Sequence, residues 1–178
     1  MMEWWGEAER ALQAVPHAVA GAVATNAYAP ERLTKDIGVV VVAADAARAE
    51  AALRAAGWRP IGRLALVSGT SWQNDAGHEL DLIELREPWA QEAITAAQQN
   101  LIVGLPTLPL PYLVFMKLDA ARTTDLADVS RMLGRATEHD LQAARRVIIR
   151  FGDDQDLEDF EQLVQMGRLE RGIDQSEV

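Results

Sequence analysis

A few short stretches carry side chains whose types and spacing suit chemistry on a phosphate. They are Gly21-Ala22, Arg32-x-Thr34-x-Asp36-Ile37-Gly38, Glu79-Leu80-Asp81-Leu82, and Lys117. Alternate residues of a strand point the same way, so Asp36 and an acid from a neighbouring strand, Asp81, can offer oxygens to magnesium or manganese. Glu79, two residues before Asp81, points to that same side and can supply a further carboxylate. Ions held in such a cup activate an attacking hydroxyl and neutralise a leaving pyrophosphate. A turn at Gly21-Ala22 lets the backbone approach a triphosphate, and the start of the following helix favours an anion. Lys117 would add a point charge beside a phosphate.

Each stretch also has a plain structural reading. Asp36 before a valine run can cap a turn, Gly21 can be a turn glycine, and Asp81 an exposed strand residue. On a straight helix Lys117 and Asp128 share a face with Asp125 off to one side, the pattern of a solvated charged surface. His17, His78 and His139 lack the spacing of a metal site. No Gly-x-Ser-x-Gly, Walker lysine loop or Gly-x-Gly-x-x-Gly occurs in the sequence.

The elements that must position these residues follow from the hydrophobic pattern. Met2–Val15 reads as an amphipathic helix with Trp4, Trp5, Ala8, Ala11, Leu12 and Val15 at helical spacing, stopped by Pro16. Adjacent Trp4 and Trp5 point about 100° apart, so one buries more easily than both. A short strand at His17–Ala20 breaks at Gly21, and a helix follows over Ala22–Tyr28. Asp36–Ala43 holds four consecutive valines, a strand buried on both faces. Asp45 is placed to cap a helix over Ala46–Ala56, which Gly57 ends. Further strands are expected over Ile61–Ser68 and Glu79–Leu85, with a shorter one at Ser71–Gln73 and a turn at Asn74–Gly77. Pro88–Gln99 reads as a helix and Gly104–Pro111 as an extended connector. Helical spacing returns at Tyr112–Arg122, Thr124–Leu133, Asp140–Arg150 and Leu157–Arg168, with Val147–Phe151 the one later stretch that also suits a strand. Gly172–Val178 reads as a frayed end. The fold class expected is α/β (α+β): a mixed sheet of four or five strands flanked by helices, with a core over residues 1–110 and a helical region over 111–178.

With 49% hydrophobic and 25% charged residues over 178 positions, the chain is long and apolar enough to bury a core. No apolar run approaches the ~20 residues needed to cross a bilayer, and the first ten residues lack a signal-peptide pattern, so a cytoplasmic protein is expected. The absence of cysteine excludes disulfides, thiolate zinc sites and cysteine nucleophiles. A formal charge of -10 opposes broad nucleic-acid binding, and Arg131, Arg135, Arg145, Arg146 and Arg150 read more simply as a patterned helix surface than as a phosphate-binding patch.

Taken in order, the glycine turn, the Asp36 stretch and the Asp81 stretch resemble the nucleotidyltransferase superfamily, the polymerase-beta-like fold. Gly21, Asp36 and Asp81 match its pattern of a glycine turn, paired acids on one strand and a third acid on a neighbour. The segment Met116-Lys117-Leu118-x-Ala120-x-Arg122-x-x-Asp125-x-x-Asp128-Val129 is similar to the helix after the catalytic sheet in AbiEii-type, toxin-antitoxin-like bacterial members, so the resemblance spans Ala18 to Leu133. It implies a nucleoside triphosphate bound with magnesium, Asp36 and Asp81 as catalytic and metal residues with Glu79 as a further ligand, and Gly21, Ala22, Thr34 and Lys117 as substrate-binding residues. It further implies nucleotidyl transfer to a hydroxyl; acceptors across the superfamily include transfer RNA ends, aminoglycosides and protein side chains. The sequence departs from the pattern at Gly38, where the second acid of the pair is expected, and at Ala22, where glycine or serine is usual. That departure sustains a second expectation, a catalytically degenerate binding or regulatory module. A third is an interaction protein whose N-terminal tryptophan helix and C-terminal helices meet a partner or another copy.

Overall fold

The computed structural model describes residues 5–29, 33–34 and 36–172. Two compact units emerge, one made of 1–23 and 33–108, the other of 24–32 and 109–178. The second unit therefore takes in an early segment that the sequence reading assigned to the α/β core.

The first unit is built on a five-stranded mixed sheet. Its strands are β1 (Ala18–Ala20), β2 (Asp36–Val42), β3 (Arg59–Arg63), β4 (Gly69–Gln73) and β5 (Glu79–Leu85), in the order β1-β2-β5-β4-β3. Only β2 and β5 run parallel; the other neighbours are antiparallel. The register separates the sheet into two unlike faces. Val19, Ile37, Val39, Trp72, Leu80 and Leu82 share one face and are all buried. Helices α1 (Trp5–Leu12), α3 (Ala46–Ala55) and α4 (Ala90–Ala97) complete this unit, α3 and α4 packing on β2 and α1 on α3. The opposite face carries Asp36, Gly38, Ser71, Gln73, Glu79 and Asp81.

Local chemistry sets that register. In the turn after β4 the Asn74 side-chain oxygen accepts hydrogen bonds from the backbone N–H of Ala76 (3.1 Å) and His78 (2.9 Å). This Asx turn aligns β4 with β5 so that Ser71 stands opposite Asp81 and Gln73 opposite Glu79. At Gly69 a Cβ would sit 2.1 Å from the Leu82 carbonyl oxygen, so only glycine fits where β4 begins.

Several expectations need adjustment. Trp5 is buried, whereas Trp4, Arg32 and residues 173–178 lie outside the described residues. Asp45 does not cap α3, because a 3-10 turn over Ala43–Asp45 already puts it in a helical conformation; it pairs instead with Arg48 at 3.4 Å. The strand expected over Ile61–Ser68 lies earlier, at Arg59–Arg63, and the connector after α4 holds a small hairpin, β6 (Leu101–Ile102) with β7 (Leu105–Pro106).

The second unit is helical: it holds α5 (Leu110–Ala120), α6 (Thr123–Leu133), α7 (Glu138–Phe151) and α8 (Asp154–Glu170), together with the last two residues of α2 (Gly21–Thr25). Val147–Phe151 belongs to α7 because Leu141, Ala144 and Ile148 bury a helical stripe and a Thr137/Asp140 capping box starts the helix. α6 and α8 touch backbone to backbone: a Cβ on Gly167 would lie 2.0 Å from Ser130 O and one on Gly134 2.3 Å from Gly167 O. No helix among the described residues is long and apolar enough to cross a membrane.

Candidate functional site

Three sequence features meet on the polar face of the sheet. Asp36 opens β2 opposite Glu79, and two residues on Gly38 stands opposite Asp81. Parallel strands in this register put Asp36 and Asp81 diagonally across Gly38 with both side chains on one side. On the other flank of β2, Gly38 pairs with Ala20. Gly21 follows directly with φ of 63°, a left-handed conformation that glycine takes without strain, and a Cβ there would lie 3.9 Å from Gly38. The glycine turn, the two aspartates and position 38 thus form one neighbourhood, with Ala22 in the first turn of α2.

Hydroxyl groups hold the acids. The Thr34 hydroxyl donates to Asp36 Oδ1 at 2.8 Å, with the Asp36 carbonyl oxygen also within 3.2 Å. The Ser71 hydroxyl donates to Asp81 Oδ1 at 2.6 Å. Glu79 is exposed, and its Oε1 accepts from Gln73 Nε2 at 3.3 Å. Burial pushes the Asp81 carboxyl above its ordinary value; the Ser71 hydrogen bond works against this, while the Asp36 and Glu79 charges add to it. Asp81 therefore senses both of the other acids.

Among the described residues, however, no three His, Asp or Glu side chains are grouped so as to hold a metal ion. Asp36, Asp81 and Glu79 share a face without closing into the three-carboxylate cup expected of them, because Gly38 leaves the central position without a side chain. The donor set suits a single magnesium ion that arrives already chelated by phosphate oxygens, since magnesium is commonly held by one or two carboxylates plus substrate phosphates. It does not suit a pair of ions, which requires the carboxylate that position 38 lacks.

No protein-family model matches this chain, and no curated protein matches it. Solved structures do. A crystal structure of ANT(2'')-Ia in complex with adenylyl-2''-tobramycin superposes with a TM-score of 0.50 at 18% identity, covering 94% of this chain and 96% of that one. The chain shares the fold of this structure. A solution structure of the antibiotic-resistance factor ANT(2'')-Ia gives a TM-score of 0.49 at 18% identity, over 94% of this chain and 91% of that one.

Within this fold Lys117 belongs to the helical unit and is 3% exposed. Its Nζ donates to Asp125 Oδ1 at 2.8 Å and to Asp128 Oδ2 at 2.9 Å. Arg122 bonds the outer oxygen of Asp125 and Arg131 that of Asp128. The solvated helix surface expected from the sequence is thus a buried ion cluster: the turn between α5 and α6 folds both aspartates back onto the lysine, and Asp125 is a direct partner. The ammonium is committed to two carboxylates in its own unit. Among the other arginines, Arg145 pairs with Glu161 at 2.5 Å and stacks over Phe160, and Arg150 lies over Phe151. His17 Nδ1 lies 2.8 Å from Val15 O and its Nε2 3.1 Å from Glu9, His78 contacts Asn74, and His139 is exposed.

The site residue that sequence reading missed is Ser71. Its own stretch, Ser71–Gln73, reads only as a short strand, and what makes Ser71 matter is its register against β5.

Proposed function

We propose that the chain binds a magnesium-chelated nucleoside triphosphate on the polar face of the sheet. Asp36 and Asp81 meet the ion that the phosphates carry, and the Gly21 turn admits the phosphate chain. The observation that carries this reading is the grouping of Gly21, Asp36 and Asp81 around Gly38. The fold supports it, since in ANT(2'')-Ia the same fold is seen with adenylyl-2''-tobramycin.

Gly38 makes this a binding or regulatory module rather than an efficient transferase. Two-ion transfer depends on a carboxylate that bridges the metals, and here the bridging position has no side chain. A transferase reading, with a hydroxyl compound as acceptor, draws on Glu79, whose register opposite Asp36 puts a third carboxylate on the same face.

Calorimetric titration with ATP, CTP, GTP and UTP, with and without magnesium or manganese, tests both. The binding reading expects metal-dependent affinity weaker than ~1 μM, lost in Asp36→Ala and Asp81→Ala. Tight binding accompanied by turnover with a hydroxyl acceptor would establish the transferase instead. Binding that survives both alanine substitutions would place the nucleotide elsewhere.

A further inference from the structure

The two aspartates are not left with both oxygens available. Thr34 occupies Oδ1 of Asp36 and Ser71 occupies Oδ1 of Asp81, at 2.8 and 2.6 Å, whereas neither Oδ2 has a hydrogen-bond partner among the described residues. The hydroxyls come from unconnected places. Thr34 lies two residues ahead of β2, and Ser71 is fixed across from Asp81 by the Asn74 turn. Both carboxylates are half-buried, so a hydroxyl released from either would leave an oxygen short of partners.

We propose that Thr34 and Ser71 set the cation preference of this site by biasing Asp36 and Asp81 toward ligation through Oδ2 alone. Magnesium takes six ligands in near-ideal octahedral geometry and accepts single carboxylate oxygens together with phosphates and water. Calcium takes six to eight ligands in flexible geometry and uses carboxylates that chelate through both oxygens. With Oδ1 of each aspartate accepting a hydroxyl hydrogen bond, two-oxygen chelation must share that oxygen with the hydroxyl or displace it, a cost that falls more heavily on calcium than on magnesium. Thr34 and Ser71 are positioning residues: they act through the aspartates without touching the ion.

This rests on the nucleotide reading above, and the experiment separates the two. Affinities for the magnesium and calcium complexes of whichever of ATP, CTP, GTP or UTP binds tightest are measured calorimetrically for the natural protein, Ser71→Ala, Thr34→Val and Ser71→Thr. The natural protein should favour the magnesium complex. Each hydroxyl-deleting variant should lose about fivefold of that preference, the scale of one net hydrogen bond, and Ser71→Thr should keep it. Melting temperatures check that each variant is folded, and Thr34→Val alone decides the matter if Ser71→Ala is not. A magnesium-to-calcium ratio unchanged in the deletion variants overturns the inference and leaves the nucleotide reading standing. A natural protein that binds neither complex overturns both.

Discussion

Placing an aspartate at position 38 acts on the single position where the motif is broken. In Gly38→Asp the new Cβ would lie 3.6 Å from Ala20 C and O and 3.7 Å from Gly21 N, ordinary contact distances, and Gly38 has no positive φ to forbid a side chain. Replacing a strand glycine should return about 0.5–1 kcal/mol of backbone entropy. Against this, the carboxylate arrives opposite Asp81 and two residues from Asp36 on the same face. At roughly 5.5 Å and an effective dielectric of 20 each such pair costs about 3 kcal/mol, and the new carboxylate relieves part of this by turning toward solvent. A net loss of about 3 kcal/mol in metal-free buffer is the expected balance, a fall in Tm of about 6–12 °C for a chain of this size. Metal should reverse it: an ion present at 100 times its Kd restores about 2.7 kcal/mol. Differential scanning fluorimetry of both proteins against magnesium and manganese concentration measures this directly. If the variant gains no more from metal than the natural protein, position 38 does not face an ion site and the grouping of Asp36 and Asp81 has been misread.

Other perturbations probe other parts. Asp81→Asn should be more stable than the natural protein at neutral pH, because a carboxyl whose folded pKa is raised contributes stability when protonated and loses it as pH rises; in urea titrations the advantage should shrink toward zero below about pH 4, and a constant advantage would contradict the burial argument. Lys117→Met takes the shared ammonium from two buried carboxylates, leaving each with a single arginine, and should cost about 3–5 kcal/mol in chemical denaturation, whereas a loss under 1 kcal/mol would mean that the cluster opens to water. Gly167→Ala drives a methyl into Ser130 O and should destabilise the helical unit by at least the ~1–3 kcal/mol typical of overpacking; an unchanged Tm would refute the close α6–α8 contact.

Elements with a strong local signal were legible in the sequence. The valine run of β2, the Asn74–Gly77 turn, the chain-reversing glycines and the helical stripes of α5 to α8 each reflect chemistry within a few residues. What depends on partners distant in sequence was not. The burial of Lys117 needs the path from α5 into α6, the role of Ser71 needs the β4–β5 register, and the failure of Asp45 to cap depends on how the chain leaves β2. Gly38 was visible as a missing acid, but only the register shows that the space it leaves lies between the two remaining ones.

The division of the chain also bears on how the protein is made. Residues 24–32 belong to the helical unit but leave the ribosome about 80 residues before the rest of it, which begins at residue 109. At typical synthesis rates of about 5–20 residues per second this segment waits some seconds, with Ala24 and Thr25, both buried in the finished fold, still uncovered. A fragment cut at residue 108 would carry those nine residues away with the wrong half. The helical unit is thus sequentially interrupted: it can close only late, after the sheet that precedes it has been synthesised.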